Sequence, residues 1–590
     1  MDFKKPSILF FIFILLLGVF PHRSFSSNDT STFLNNTVSN FALLDHEGKF
    51  HELYYYSDKK AIVLFVQGNN CPIVRKSIPY LKELQEKYAP QDVVFLMINS
   101  NPSENRDLIK EEIRAFSINM PIFEDKSQTV AKALGLTRTA EAILINPPTW
   151  QIIYRGALND IKNYYLQDAI DAVLERKPVA VSSSAVKGCL LSWEDRGRLY
   201  EYKKDVAPIL IQKCFVCHSP GGVAPWSMNS YEKIMKWAPM IREVIQTKRM
   251  PPWHADPYYG QFEKDLFLTP QEVRTLINWI DQGLKKTNGV DPLVTATASI
   301  KDRQWPLGQP DLVLTVPQQE ISASGPDEFR FIKSDHPIDK DVWIRAIDFR
   351  SGNAAVIHHA NVLVASPKDK DDADQETEWY KNSGAGMDEG QMIMGYSPGH
   401  RPYVLPTNTG LFIPKGSLFE FRIHYIKTGK PETDQTQLGL YFHKKKPAYI
   451  HSVDIISNRD IKIPPGAKDY KLTASKTFPK AIMLTAIQPH VHYRGKSMSF
   501  TLRYPNGKQE VILSVPHYKF GWQRQYILKH PKFLPAGTAI VVDGAYDNSA
   551  QNYANPDPSQ EVSYGPTSDH EMFTGVISYF MPDHSEYEHK

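Results

Sequence analysis

The chain has 590 residues, 42% of them apolar and 23% charged, with a formal net charge of +3. That length exceeds one hydrophobic core and predicts about three to five domains. The ordinary composition excludes a disordered or membrane-embedded body, and the near-balanced charge excludes a dense basic face for nucleic acid. The first 26 residues read as an export signal: "MDFKK" is basic, "SILFFIFILLLGVF" is apolar, and "SFS" before Ser27 supplies small cleavage residues. A periplasmic or secreted bacterial protein is expected, with an uncleaved membrane anchor as the alternative. No second long apolar run follows, so no further span is expected.

Residues 34–178 alternate strand and helix. "AIVLFVQ" and "VVFLMIN" are continuous apolar runs of the kind covered on both faces, and "PIVRKSIPYLKELQEKY" is a helix beginning at Cys71. "EAILIN" and "TWQIIYRG" complete the pattern, which resembles the thioredoxin-like redoxin family. The resemblance puts Cys71 at the nucleophile position, on a helix N-terminus that favours a thiolate. Two departures stand out. Val74 replaces the second cysteine of C-x-x-C, and Ala140 replaces the proline before the next strand. Exchange by the usual local pair is therefore not expected. Cys71 either pairs with Cys189, the other cysteine outside the C-x-x-C-H motif, or stays a free buried thiol. Residues 179–197, entered through "RKPVAVSSSAVKG" (residues 176–188), read as a small-residue linker.

The next block carries "KCFVCHSPGG". C-x-x-C-H attaches a c-type haem: Cys214 and Cys217 add to the vinyl groups and His218 ligates iron. A zinc site would need two more ligands at close spacing, and only His254 follows within reach. With "TKRMPPWHADP" and "LTPQEVRTLINWIDQGL", residues 198–290 resemble a small helical cytochrome c domain. That resemblance implies Met250 as the sixth iron ligand, the alternative being a core methionine. Thr269, Pro270 and Glu272 mark the start of the last helix.

From about residue 310 the chain lacks cysteine and runs in short alternating segments broken by Pro, Gly and Asn, which predicts two β-sandwiches, 310–460 and 461–590. His358 and His359 are adjacent, His424 lies in "FRIHY", and His490 and His492 form H-x-H. Residues two apart on a strand share a face, so the last pair is set to chelate one ion, which spacing alone does not identify. The order of HH, "HY", "HVHYRGK" and "SDHEM" resembles the type II copper monooxygenases that hydroxylate peptidylglycine and dopamine. The resemblance implies two jelly-roll-like sandwiches and two copper ions. One would be held by His358, His359 and His424, and the oxygen-binding one by His490, His492 and Met572, with Met498 as a rival sulfur. Gln488 stands where the peptide-hydroxylating members carry a substrate-clamping arginine, and Thr574 and Val576 replace their asparagine and tyrosine.

The expectation is an exported α/β plus α plus β oxidoreductase holding covalent haem c and two copper ions. It would hydroxylate a C–H bond of a small or peptide-like substrate with O₂, the haem relaying electrons from a reductant or redox partner protein. The competing classes are a non-catalytic electron-transfer or copper-binding protein and a thiol–disulfide oxidoreductase.

Overall fold

A computed structural model describes residues 36–300, 305–365, 391–397, 399, 402–565 and 567–582. The expected signal segment lies outside them. Among the described residues no helix is long and apolar enough to cross a membrane.

The first unit is a five-stranded sheet in the order Ile122–Glu124, Val93–Asn99, Ala61–Gln67, Ala142–Asn146, Gln151–Gly156. The first three run parallel and the last two antiparallel. Every residue of Ala61–Gln67 is buried, because the pleat sends Val63 and Phe65 into one core and Ile62, Leu64 and Val66 into another on the opposite face. The helix Pro72–Tyr88 buries Val74, Ile78, Leu81, Leu84 and Tyr88 as one stripe.

The segment read as a linker is docked rather than loose. Ser183 bridges Arg155, Leu190 bridges Arg138, and Leu191 and Trp193 pack on the redoxin core. Its small residues leave the backbone free to pair, and its apolar ones gain burial.

The helical unit includes Phe215–His218, Tyr231–Gln246 and Pro270–Asp281 around Tyr202, Tyr231 and Trp279. Thr269 and Glu272 form the expected capping box. The unit is not self-contained, however. Trp253, Ala255 and Leu266 leave it and join the core of the C-terminal sandwich. Asp256 N–H donates to the Ser514 carbonyl, Glu263 N–H to that of Ile527, and Lys529 N–H to that of Gln261, each at 2.8 Å. On its other side Asp256 accepts from Arg106 of the redoxin unit at 2.6 Å, deep in the interface.

The β half has two large cores, joined by a small cluster of Leu363, Met392, Val453 and Val576. One outer sheet holds Glu328–Lys333, Leu418–Tyr425, Ile357–Ala365 and Gln391–Tyr396; the other holds Tyr470–Thr477, Ala539–Tyr546, Gly495–Arg503 and Gln509–Val515. Facing both is one nine-stranded sheet, continuous because Thr409–Ile413 pairs parallel with Tyr449–Ser457. Tyr449–Ser457 makes two such pairs but seven antiparallel ones with Thr574–Phe580. It therefore belongs to the C-terminal sandwich, which begins with this strand at Tyr449 and not at residue 461.

Candidate metal centre

Adjacent strand residues ordinarily point to opposite faces, so His358 and His359 need a reason to act together. The reason is a register shift between Ile357 and His359 where this strand pairs with Leu418–Tyr425. A bulge inserts one unpaired residue and re-aims its side chain. His359 lies directly across from His424 in the same ladder. The ligand nitrogens of His358, His359 and His424 all fall within 4.8 Å of one another. His424 Nε2 lies 3.2 Å from Asp327 Oδ2 while its buried Nδ1 has no partner. That leaves Nδ1 as the ligand atom.

His490 ends the strand Ile482–His490, and His492 follows in the turn. Their rings are 5.2 Å apart and nearly perpendicular. His490 Nδ1 lies 2.7 Å from Gln523 Oε1, and His492 Nδ1 lies 3.0 Å from the His570 carbonyl. Each Nδ1–H donates, which fixes the tautomer and leaves Nε2 to ligate. The Glu571 carboxylate clasps the turn from behind, accepting N–H from His492 at 2.8 Å and Arg494 at 2.7 Å. Met572 follows it directly, half-buried, its carbonyl accepting from Tyr546 Oη at 2.6 Å. The rival Met498 is spent inside the sandwich core, against Gly544.

The two histidine groups meet at one place. The Phe520 ring lies 4.8 Å from His358, 6.3 Å from His359, 6.1 Å from His424 and 5.7 Å from His492. Burial holds these imidazoles neutral. His358 and His492 are pushed down to about 3 and His424 to about 4, with His359 well below its ordinary value. For His359 burial acts first, and the neighbouring His358, His424, His490 and His492 add to it. Neutral imidazole is the ligating form, so His358, His359 and His424 present a donor set that fits a copper ion, and His490 and His492 add a second pair of imidazoles. On the strand that carries His490, Gln488 pairs across the ladder with Val576, and His490 with Thr574. Gln488 Nε2 donates to the Gln523 carbonyl at 3.3 Å. Phe520, Gln523 and Asp327 carry no spacing signal and were not foreseen. His451 is a buried histidine between Tyr403 and Thr485, apart from both groups.

The C-x-x-C-H segment lies against this module. His218 Nδ1 is 3.0 Å from the Trp226 carbonyl, which frees Nε2, and Cys214 and Cys217 form no disulfide. These are the two thiols and the imidazole nitrogen that a c-type haem would use. A Cβ at Gly399 would stand 2.6 Å from Cys217 Sγ, so only glycine allows the approach. Arg524 borders the same spot and donates to the Pro252 carbonyl at 2.7 Å. Met250 lines a cavity of about 70 Å³ with Val273, His254 and His517.

In the redoxin unit Cys71 and Cys189 sit together, Sγ to Sγ 2.7 Å, with Thr139 Oγ1 3.1 Å from Cys71 Sγ.

Comparison with known proteins agrees with two of these units. The AhpC/TSA family model matches residues 34–160, and the model for the copper type II ascorbate-dependent monooxygenase, C-terminal domain, matches residues 448–589. The thiol-disulfide oxidoreductase ResA of Bacillus cereus (strain ATCC 10987 / NRS 248) is 26% identical over 148 residues, 24% of this chain and 84% of that protein. ResA of Geobacillus thermodenitrificans is 27% identical over 141 residues, 24% of this chain and 79% of that protein. A solved structure, an uncharacterized conserved protein from Geobacillus kaustophilus, is 28% identical, covering 27% of this chain and 92% of its own at a TM-score of 0.25. The chain thus contains a thioredoxin-like AhpC/TSA domain and a copper type II monooxygenase C-terminal domain, which mark it as an oxidoreductase.

Proposed function

We propose that this protein is an exported two-copper monooxygenase that hydroxylates a C–H bond of a small, neutral molecule, with electrons relayed by a c-type haem on Cys214, Cys217 and His218. The observation that carries the reading is the convergence of His358, His359 and His424 with His490 and His492 around Phe520. The overall reaction is R–H + O₂ + 2 e⁻ + 2 H⁺ → R–OH + H₂O. Bound copper would supply the one-electron redox steps and the dioxygen chemistry, with Met572 as the soft ligand that favours its reduced state.

The chain's own residues supply the rest. Burial keeps each imidazole unprotonated and ready to ligate. Asp327, Gln523 and the His570 carbonyl hold the outer ring nitrogens, so that the rings do not swing away. Gln488 offers no charge to a carboxylate, its amide N–H₂ already engaging the Gln523 carbonyl. Its buried Oε1 is without a partner and can accept from a substrate O–H or N–H. That supports an uncharged substrate over a peptide with a free C-terminus. Met250 is the proposed sixth iron ligand.

The test is oxygen uptake by copper-loaded, haem-bearing full-length protein with ascorbate and a panel of neutral substrates. Substrate-dependent uptake with hydroxylated product, lost in His359→Ala and in His490→Ala, is expected. Copper binding without any substrate-dependent uptake would leave a copper-binding electron carrier.

A further inference from the structure

The helix Pro72–Tyr88 lacks the second cysteine of its family's motif, yet a second sulfur reaches Cys71 by another road. Residues 188–191 run antiparallel beside residues 137–139, joined by a β-bridge between Leu190 and Arg138. Thr139 N–H donates to the Cys189 carbonyl at 2.9 Å and Leu191 N–H to the Thr137 carbonyl at 2.9 Å. Cys189 N–H donates to Thr139 Oγ1 at 3.0 Å, and Arg138 Nη1 donates to the Gly188 carbonyl at 3.0 Å. Gly188 is required there, since a Cβ would stand 1.7 Å from the Thr139 carbonyl oxygen. These bonds aim Cys189 Sγ at Cys71 Sγ, 2.7 Å away. The same bonds occupy the backbone edge beside Cys71, so an extended protein segment has no place to lie on it.

The two sulfurs differ in access. Cys71 is buried, whereas Cys189 is exposed and followed by Leu190, 68% exposed. We propose that Cys71 and Cys189 form a working dithiol–disulfide pair with inverted polarity: the exposed Cys189 exchanges with external protein dithiols, and the shielded Cys71 is the leaving thiolate. In the oxidised form the Cys71–Cys189 bond is closed. A donor thiolate attacks Cys189 Sγ, the Sγ–Sγ bond breaks, and the electron pair leaves on Cys71. The donor's second thiol then attacks its own sulfur in the mixed disulfide and releases Cys189. Two electrons and two protons pass to this chain, and the donor departs as a disulfide. The direction suits the chemistry, because the sulfur with the lower pKa leaves faster. In the reduced pair Cys71 is held down to about 7 by hydrogen bonds from Cys189 and Thr139 that outweigh its burial, while Cys189 is raised. Once Cys189 carries the donor, the Thr139 hydroxyl 3.1 Å away remains to stabilise the leaving thiolate. The inference is independent of the copper reading.

The probe is a thioredoxin whose resolving cysteine is replaced by serine, so that mixed disulfides accumulate. Full-length protein is oxidised with glutathione disulfide, mixed with the probe, quenched in acid and mapped by mass spectrometry. A Cys71–Cys189 cross-link is expected before mixing. Afterwards the probe should be found on the Cys189 peptide in at least about tenfold excess over the Cys71 peptide. Probe chiefly on Cys71 would overturn the polarity; no cross-link, no adduct, or adducts only on Cys214 or Cys217 would overturn the pair. Gly188→Ala lifts the segment and should lower the cross-link yield in the same buffer. An unchanged yield would overturn delivery by the segment.

Discussion

Gln523 shows what a single residue outside the ligand set controls. Its Oε1 holds His490 Nδ1 at 2.7 Å, so Gln523→Ala leaves the ligand in place but free to rotate. Copper affinity at that ion should fall about 10- to 100-fold with the other ion unaffected, as read by competition with a Cu(I) chelator. An affinity equal to wild type would mean that the bond orients nothing. Met572→Ala should weaken Cu(I) more than Cu(II), since only the reduced ion prefers sulfur. The cysteines make a pH prediction. In reduced protein the Cys71 thiolate forms as pH rises through about 7, and that of Cys189 only above its ordinary value of 9.0. Pulsed alkylation read by mass spectrometry should therefore show Cys71 reaching its limiting rate at the lower pH. Coincident profiles would contradict the geometry. The H-x-H pair and C-x-x-C-H were legible because local spacing sets their geometry. Gln523 and Phe520 were not, because they come more than twenty residues after the H-x-H pair and reach it only through folding.

Whole elements decide which side chains a strand can offer. The alternation in "AVIHHANVLVAS" announces a strand correctly, but it also says that one of two adjacent histidines faces away. Only the register shift at Ile357–His359 removes that conflict, and a shift of pairing leaves no mark in sequence. The turn after Ile482–His490 is held differently, by Glu571 across two backbone N–H groups. Glu571→Ala leaves both donors buried without an acceptor and should cost about 1–3 kcal/mol for each. Glu571→Gln keeps an acceptor and should lose less. Thermal unfolding of the two variants ranks them, and equal losses would argue against the clasp. Residues 179–197 read as a linker because small residues signal flexibility. Their backbone pairing with residues 137–139 and 155 depends on a partner far away in the chain and was hidden for that reason.

Across the whole molecule, the helical unit and the copper module meet beside the C-x-x-C-H segment. Cys217 lies against Gly399 and Arg524, the residue beside Arg524 is Gln523, and Gln523 holds His490. The same short segment also reaches the other histidine group, since a Cβ at Gly521 would stand 3.7 Å from His358 Nε2, whereas the sequence offered only the order of modules. In haem-bearing, copper-loaded protein, pre-reduced haem exposed to O₂ and substrate should reoxidise at least tenfold more slowly in His490→Ala than in wild type, by stopped-flow absorbance. Equal rates would assign the haem to another partner.

Residues 253–266 belong by sequence to the helical unit and by packing to the core around Tyr526 and Leu528. A piece of chain with that double allegiance constrains descent as well as stability. Recombination that swapped the helical unit for a homologous one would strand Trp253 and Leu266 without their cavity, so the unit cannot be shuffled as a cassette. Substitutions at Trp253 and Phe262 should instead track those at Tyr526 across lineages, because the three rings meet at this seam.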